Sequence, residues 1–395
     1  MMVAKTHLPF LDGLRGLAAF AVFLFHAYAT AFNIDHLPWN GWFRDFRPLQ
    51  SAPYLVPLTY GWCGVPIFFV VSGFCIHLSH QRDPQAGWAE FWRRRFWRIY
   101  PPYLLAVLVF FFVWPWGTVI GIETPERQRQ LWSHLLLVHN LDQRTIFGIT
   151  GPLWSIAVEV QLYLIYPLLL MLIARSGWRQ ALFLACILEV AGNYSEPCSL
   201  KLFGSRSPYV ISKSPFSFWA SWSLGAYLAQ CCLDHKPSVL SRIRFDTVAL
   251  IALALPLFKP TEPLSFFAFA VAAGVAVDRL VSGAWSPPTG PVGSVCWRHL
   301  AFLGTVSYSF YLMHQPFIGL TEKVSSLLIP GLVLSEPGKV LAALAWYPVI
   351  LLLSSITYVA IEMPAARVGR RANTTRVRHA EALAGSRDHL QSEEP

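Results

Sequence analysis

The chain has 395 residues, of which 54% are hydrophobic and only 13% are charged. Soluble domains carry about 25% charged residues, so this composition excludes an ordinary soluble domain and indicates a membrane protein. The formal net charge is +9, but no soluble polar segment interleaves basic and aromatic residues, and we predict no nucleic-acid partner. The seven cysteines show neither a zinc pattern nor a disulfide framework, so we predict no metal site.

Ten apolar runs follow one another along the chain and predict an all-α fold, a multi-pass membrane helix bundle of about ten transmembrane helices. A full span needs about 20 apolar residues. The fifth and seventh runs are shorter and are compatible with re-entrant or interfacial segments, so eight spans is the alternative count. The runs are 10–30, 61–77, 103–122, 153–173, 181–191, 219–232, 247–258, 264–280, 302–320 and 340–361.

The positive charges indicate how such a bundle is oriented. If ten helices begin in the cytoplasm, most of the 31 Lys and Arg residues fall on the cytoplasmic side, as the positive-inside rule requires. We therefore predict that both termini are cytoplasmic. Residues from Ala365 onward are polar and mixed in charge, which predicts a membrane domain over 1–364 and a disordered cytoplasmic tail over 365–395.

The first run carries an arginine and a histidine, Arg15 and His26, within an otherwise apolar helix. Their spacing corresponds to about three turns plus ~20° and to about 16 Å along the axis, so both lie on one face. Charged groups at this depth cost about 2.5–3.5 kcal/mol on insertion scales and usually line a pathway or a site. The alternative is that Arg15 snorkels to the lipid headgroups and His26 makes a structural hydrogen bond.

The second run contains the small residues Ser72 and Gly73. Small residues permit close packing of membrane helices, and packing explains this pair more simply than a nucleophilic serine. Ser72 is nevertheless kept as a candidate for contact with substrate.

A basic cluster follows the second run on the predicted cytoplasmic face. It comprises Arg93, Arg94, Arg95 and Arg98 and is flanked by Phe, Trp and Tyr residues. Arginines can clamp the phosphates of a nucleotide, so the cluster predicts a phosphate-binding patch. It can equally serve as an orientation anchor for the third helix, and the two roles are compatible.

Two later runs also carry polar side chains. Glu159 lies about one and a half turns inside the fourth helix, at a depth similar to that of His26, with Tyr163 one turn further along. The carboxylate could orient an imidazole or accept from a substrate hydroxyl, or it could be a paired structural group. His314 adds a second histidine at mid-membrane, directly before a kink expected at Pro316.

Together these motifs resemble the acyltransferase-3 family of integral membrane acyltransferases, which commonly O-acetylate glycans of the bacterial envelope. The resemblance covers residues 10–364 and rests on the order of the motifs. They are Leu11-Asp12-Gly13-Leu14-Arg15-Gly16 with His26, Phe68-Phe69-Val70-Val71-Ser72-Gly73-Phe74, Arg94-Arg95-Phe96-Trp97-Arg98-Ile99-Tyr100-Pro101, Trp154-Ser155-Ile156-Ala157-Val158-Glu159, and the late segment Ser307-Tyr308 to His314-Gln315-Pro316.

The resemblance implies an O-acetyltransferase of the inner membrane, with His26 essential for acyl transfer and acyl-CoA as a co-substrate rather than a bound cofactor. The expected partners are acyl-CoA, membrane lipids and a glycan or lipid-linked glycan acceptor. We expect Arg15, His26 and Glu159 to be the catalytic residues. The residues expected to contact substrate or CoA are Arg93, Arg94, Arg95, Arg98, Ser72, Tyr163 and His314.

In the mechanism expected from the sequence, a thioester arriving from the cytoplasm passes Arg15 and meets His26. His26 then acts as general base on the acceptor hydroxyl or carries the acyl group itself. A transporter of a polar glycan or acid, with proton coupling through the buried His and Glu residues, is the alternative function, and a membrane scaffold is the third.

Overall fold

The computed structural model describes residues 8–113, 124–205 and 207–370 and consists almost entirely of helices. Its α-helices, within these ranges, are α1 Pro9–Phe32, α2 Gly64–Gln81, α3 Trp88–Leu108, α4 Thr124–Leu135, α5 Leu153–Phe203, α6 Tyr209–Ser212, α7 Trp219–Leu233, α8 Phe245–Ala254, α9 Ser265–Val281, α10 Pro291–Thr305, α11 Ser307–Ile318, α12 Thr321–Leu328, α13 Glu336–Leu344 and α14 Tyr347–Thr357. Strands β1 Trp39–Asn40 and β2 Phe43–Arg44 pair antiparallel in a short hairpin. The predicted all-α class is confirmed.

Six helical segments of the described ranges are long and apolar enough to cross a membrane. They are Pro9–Phe32, Pro53–Gln81, Trp88–Val113, Leu153–Phe203, Glu262–Val281 and Glu336–Arg370. These segments confirm the prediction of a multi-pass membrane helix bundle, whereas the count of ten spans and the cytoplasmic position of both termini stay predictions. The end of the third predicted run, from residue 114 to 122, lies outside the described residues.

Helix α5 contains two of the ten predicted runs, 153–173 and 181–191, within 51 residues. Gly177 lies between them with φ 81° and ψ 170°, a backbone conformation that glycine adopts and that a side chain disfavours. The helix therefore breaks at Gly177, and each half corresponds to one predicted run. The sixth, seventh and ninth runs form the shorter helices α7, α8 and the α10–α11 pair.

Helices α1 and α10 cross at glycines, which lets their backbones approach closely. A Cβ atom added at Gly16 would lie 1.8 Å from the carbonyl oxygen of Leu300, and one added at Gly304 would lie 1.8 Å from that of Asp12. No real Cβ atom tolerates such a distance, so the two helices would have to separate. Because α1 carries Arg15 and His26, this crossing fixes where the two side chains point.

We expect Gly304→Ala to destabilise the protein, because the added methyl group overlaps the backbone of α1. Overpacking of this kind typically costs about 1–3 kcal/mol. Gly290→Ala is the matched control, since Gly290 precedes the same helix and a Cβ atom there meets nothing within 4 Å. Thermal unfolding of the detergent-solubilised proteins checks the prediction, and equal midpoints for the two variants would contradict it.

The last described helix is held against α11 by a buried hydrogen bond, in which Ser309 Oγ donates to Glu362 Oε2 over 2.9 Å. The helix continues through residue 370, so residues 365–370 are helical, and the division into a membrane domain and a tail stays a prediction. Residues 371–395, the remainder of the predicted tail, lie outside the described residues.

Two histidines of the segment between α3 and α5, outside the six candidate spans, stack on each other. The rings of His134 and His139 are nearly parallel, at an angle of 9°, with centroids 3.9 Å apart. Both are buried, and His134 Nδ1–H donates to the carbonyl of Gln130 over 2.7 Å. Burial lowers the pKa of His134 to about 4 and that of His139 well below its ordinary value, so both rings are neutral in the folded protein.

Acidification is therefore expected to destabilise the fold. Between about pH 6.5 and 4 an unfolded histidine binds a proton that folded His134 does not. The free energy of unfolding therefore decreases as the pH is lowered, and at pH 5 it is about 2 kcal/mol below its value at neutral pH because of this ring alone. His134→Gln should flatten the dependence of the unfolding midpoint on pH between 7.5 and 5. His235→Gln, at an exposed position, should leave that dependence unchanged, and equal slopes for the two variants would contradict the assignment.

Candidate active site

A cavity of about 270 Å³ lies among α1, α2, α3, α5 and α11. Along α2 its wall extends from Ser79 to Val65, fourteen residues or about 21 Å at 1.5 Å per residue. Three parts of the wall differ in chemistry. The arginine mouth comprises Arg94, Arg95, Arg98 and Arg370; the carboxylate centre comprises Ser72, Glu159 and Tyr163; and the apolar end comprises Val65, Phe68, Phe69 and Ile156.

The arginine mouth carries more positive charge than its partners neutralise. Arg94 is paired with Asp83 at 3.2 Å and with Glu90 at 3.4 Å. Arg95 is buried, and its guanidinium stacks on Phe91 at 4.0 Å, without an ion pair to any described residue. Arg98 is exposed and also makes no ion pair within the described ranges. The mouth can therefore bind an anion.

Arg93 differs from its three neighbours in sequence. Its guanidinium donates to both oxygens of Glu90, at 2.6 and 2.8 Å, and to the carbonyl of Val368 at 3.1 Å. It does not line the cavity formed by the described residues. Of the four arginines predicted to contact CoA, the structure brings Arg94, Arg95 and Arg98 to the cavity and directs Arg93 to a structural pair.

At the carboxylate centre, one oxygen of Glu159 accepts two hydrogen bonds. Tyr163 OH donates to Oε1 over 2.5 Å and Ser72 Oγ donates to the same atom over 2.7 Å. Trp222 Nε1–H donates to Ser72 Oγ over 3.3 Å. The second oxygen, Oε2, accepts from no described residue, so one face of the carboxylate is available to a molecule in the cavity.

Arg15 lies on the cavity wall between the mouth and the centre. Its guanidinium donates to Cys75 Sγ over 3.3 Å and pairs weakly with Asp12 at 3.5 Å. The side chain is 22% exposed. A partly buried arginine with only long contacts retains hydrogen-bonding capacity for a ligand.

His26 lies beyond the far end of the cavity, where it contacts the second histidine. Its Nδ1 is 3.1 Å from His314 Nε2 and 2.9 Å from the carbonyl oxygen of Val22. Neither histidine lines the cavity formed by the described residues. Tyr311 lies between: its hydroxyl is 2.8 Å from Ser155 Oγ on the cavity wall, and its ring is 5.4 Å from that of His314.

The contacts of the two histidines are consistent with one assignment of their protons. His314 Nδ1 is 2.7 Å from the carbonyl oxygen of Tyr311 and must donate to it, so its Nε2 carries a lone pair. His26 Nδ1–H then donates both to that lone pair and to the carbonyl of Val22. Assigned in this way, the Nε2 atom of His26 is unprotonated and is free to take a proton or to attack an acyl group.

These contacts revise two of the sequence-based expectations. Glu159 does not contact His26, because its carboxylate is held by Ser72 and Tyr163, and Tyr311 lies between the cavity and the histidine pair. His314 contacts His26 instead, and it does not line the cavity formed by the described residues. A thioester in the cavity would therefore contact Tyr311 before it could reach His26.

Sequence reasoning missed Ser155, Tyr311 and Arg370 as wall residues. Ser155 precedes Glu159 by four residues, and residues so spaced share a helix face, so the first of these was detectable. Tyr311 lies within the late motif but was indistinguishable there from a packing aromatic residue. Arg370 falls in the segment predicted to be disordered and gave no signal.

The comparison with known proteins decides the family. A family model described as an acyltransferase domain, acyltransferase-3, matches residues 8–361. The chain belongs to the acyltransferase-3 family. The match confirms the resemblance and, at the level of the family, the predicted enzyme class of acyltransferase. It also favours the enzyme over the transporter and the scaffold.

Three relatives of this acyltransferase-3 chain illustrate what its family contains. The chain is 26% identical to "Putative peptidoglycan O-acetyltransferase YrhL" of Bacillus subtilis, over 95% of this chain and 58% of the relative. It is 23% identical to the peptidoglycan O-acetyltransferase OatA of Listeria monocytogenes, over 83% and 52%. It is 34% identical to the acyltransferase MdmB of Streptomyces mycarofaciens, over 41% and 38%. The chain thus spans little more than half the length of the first two of these relatives.

Proposed function

We propose that this chain is an O-acyltransferase of the inner membrane that moves an acyl group, acetyl in the first instance, from cytoplasmic acyl-CoA to a hydroxyl of an envelope glycan. The observation that carries the proposal is the cavity itself. It extends along about 21 Å of α2, from the arginine mouth past the carboxylate centre to the apolar end. A long donor with phosphates at one end and a reactive carbonyl at the other fits that order of groups.

The phosphates of the donor would bind at the arginine mouth. Guanidinium groups match phosphate oxygens in bidentate geometry and are weakly hydrated. Arg95 and Arg98 have no carboxylate partner within the described ranges, so a phosphate would replace water rather than an existing ion pair. The predicted cytoplasmic orientation of this end agrees with a donor made inside the cell.

The chemistry requires one bond to form and one to break. The acceptor oxygen attacks the thioester carbonyl carbon, a C–O bond forms, the C–S bond breaks, and the hydroxyl proton passes to a base while CoA leaves as a thiolate that is then protonated. Arg15 and the free face of the carboxylate centre, on the wall, would hold the donor. Positive charge near the carbonyl oxygen stabilises the tetrahedral intermediate.

His26 is proposed to be the base, or the group that carries the acyl unit between donor and acceptor. Its free Nε2 atom suits either role. Because Tyr311 and Ser155 separate the cavity from the histidine pair, transfer requires the Tyr311 side chain to turn away from Ser155. The acceptor would then approach from the histidine side, opposite to the donor.

The relatives named above as peptidoglycan O-acetyltransferases support a glycan as the acceptor. A lipid-linked glycan would present the same hydroxyl chemistry at the membrane surface. A hydroxyl is a weak nucleophile at neutral pH, so either acceptor needs the base that His26 supplies.

The test is thiol release by the purified, detergent-solubilised chain given acetyl-CoA and peptidoglycan fragments. An acyltransferase releases free CoA thiol in proportion to acetyl ester formed on the glycan, and mass spectrometry identifies the ester. A transporter releases no thiol under the same conditions. Thiol release without ester formation on any glycan would refute the proposed acceptor but not the proposed donor.

We expect Arg98→Ala to raise the KM for acetyl-CoA about tenfold with a smaller change in kcat, because a lost hydrogen bond to a charged group costs about 1.5–3 kcal/mol. The effect should shrink as salt is added, since exposed charges are screened. Arg244→Ala is the control: Arg244 is exposed and paired with Asp246 away from the cavity. Equal KM values for the two variants would contradict binding of the donor at the arginine mouth.

A further inference from the structure

The apolar end of the cavity is not used by the phosphates, the carbonyl or the acceptor. It lies beyond the carboxylate centre as seen from the arginine mouth, because Val65 precedes Ser72 by seven residues on α2, about 10 Å along the axis. A donor whose phosphates lie at the mouth directs its opposite terminus to this end. That terminus is the acyl group.

The side chains there form a rigid floor. Phe69 is 2% exposed, and its ring packs against those of Phe218 at 5.6 Å and Phe266 at 5.8 Å. Phe68 packs edge-on against Tyr311 at 5.6 Å, and Ile156 is 5% exposed. Packed interiors yield little to an added methylene, so this floor limits the length of whatever enters.

The apolar end also lacks positive charge. Among the wall residues, Tyr311 packs against Phe68 and Ser155 precedes Ile156, and the hydroxyls of Tyr311 and Ser155 are 2.8 Å apart and satisfy each other. Arg15 lies on the mouth side of Ser72, where it contacts Cys75. A carboxylate at the apolar end would be buried without a partner, which is strongly unfavourable.

We propose that Val65, Phe68, Phe69 and Ile156 form an acyl subsite that accepts a short uncharged acyl group, excludes a dicarboxylic acyl group such as succinyl, and limits chain length through the Phe69 ring. This assignment rests on the proposed function, since it takes acyl-CoA as the donor. The sequence alone does not distinguish acetyl, succinyl and longer acyl groups, and this subsite would distinguish them.

The experiment measures kcat/KM for acetyl-, butyryl- and succinyl-CoA by thiol release in one preparation of each protein. Ratios within one preparation do not depend on the fraction of folded enzyme. The wild-type chain should prefer acetyl- over butyryl-CoA, with succinyl-CoA at least ~100-fold poorer than acetyl-CoA. Phe69→Ala should raise the butyryl-to-acetyl ratio about tenfold or more, since one methylene in a hydrophobic pocket is worth about 10–200-fold.

Phe74→Ala is the matched control, because Phe74 lies on the same helix, is equally buried and does not line the cavity. Its butyryl-to-acetyl ratio should stay within about twofold of the wild type. If Phe69→Ala fails to fold, Phe69→Leu should move the ratio in the same direction by a smaller factor.

The possible outcomes separate the subsite from the proposed function. An unchanged ratio in the Phe69 variants, or succinyl-CoA used as well as acetyl-CoA, would overturn the subsite and leave the acyltransferase intact. Thiol release from none of the three donors by the wild-type chain would overturn the proposed function and the subsite with it.

Discussion

The His26→Ala protein is expected to transfer acyl groups to glycan at least ~100-fold more slowly than the wild type, because a positioned general base contributes about 10²–10⁴-fold. The contacts of His26 Nδ1 with His314 and with the carbonyl of Val22 leave the Nε2 atom of His26 unprotonated, so Nε2 can act as the base. The loss should appear in kcat, with the KM for acetyl-CoA little changed, since His26 does not line the donor cavity. Steady-state thiol release and ester formation measure both quantities.

Two companion variants sharpen that result. His314→Gln keeps a group that can accept from His26 Nδ1 but cannot be charged, so we expect a partial loss, because the role of His314 is to orient His26. His235→Ala, at an exposed position away from the histidine pair, should retain wild-type rates. Full activity of His26→Ala at normal abundance would eliminate both forms of the proposed mechanism.

Glu159→Gln is the second substitution with a large expected effect. The amide oxygen can still accept from Tyr163 and Ser72, so the centre keeps its shape while it loses its negative charge and its basicity. Because the carboxylate centre is proposed to hold the donor, we expect kcat/KM for acetyl-CoA to fall about tenfold or more, since a lost hydrogen bond to a charged group costs about 1.5–3 kcal/mol, with an unfolding midpoint close to that of the wild type. A fall in stability without a fall in kcat/KM per folded molecule would show that the carboxylate is only structural.

Another buried glutamate provides the control for this substitution. Glu189 lies on α5, away from the cavity, and accepts from Ser221 of α7. The backbone N–H of Ser221 donates over 2.8 Å and its hydroxyl over 2.5 Å. Glu189→Gln also removes a buried carboxylate from a hydrogen-bonded pair. It should affect stability and leave the rate per folded molecule unchanged, which isolates the chemical contribution of Glu159.

The sequence predicts the class of fold well because that prediction depends on local composition. Long apolar stretches must form helices in a membrane, where every backbone polar group needs an internal partner. Helix ends are less predictable: residues 365–370 extend a helix into a segment that is polar in sequence. Tertiary contacts decide such boundaries, and sequence composition does not contain them.

The candidate site was predicted in part. Arg15, Ser72, Glu159 and Tyr163 do line one cavity with three of the four predicted arginines, because helical spacing places each on the inner face of its own helix. The partners that lie on other helices were not predictable. Ser72 on α2 donates to Glu159 on α5, and only the packing of the two helices brings them together, whereas the pair of Glu90 with Arg93, three residues apart on one helix, was detectable from its spacing.

By itself, the sequence determined that this chain is a membrane helix bundle of the acyltransferase-3 family, with arginine, glutamate and histidine at lipid depth. Only the tertiary structure decided that Glu159 joins Ser72 while His26 pairs with His314. The physical reason is that contacts between distant helices depend on their rotation and crossing angle. These are set by how their side chains pack, as at Gly16 and Gly304.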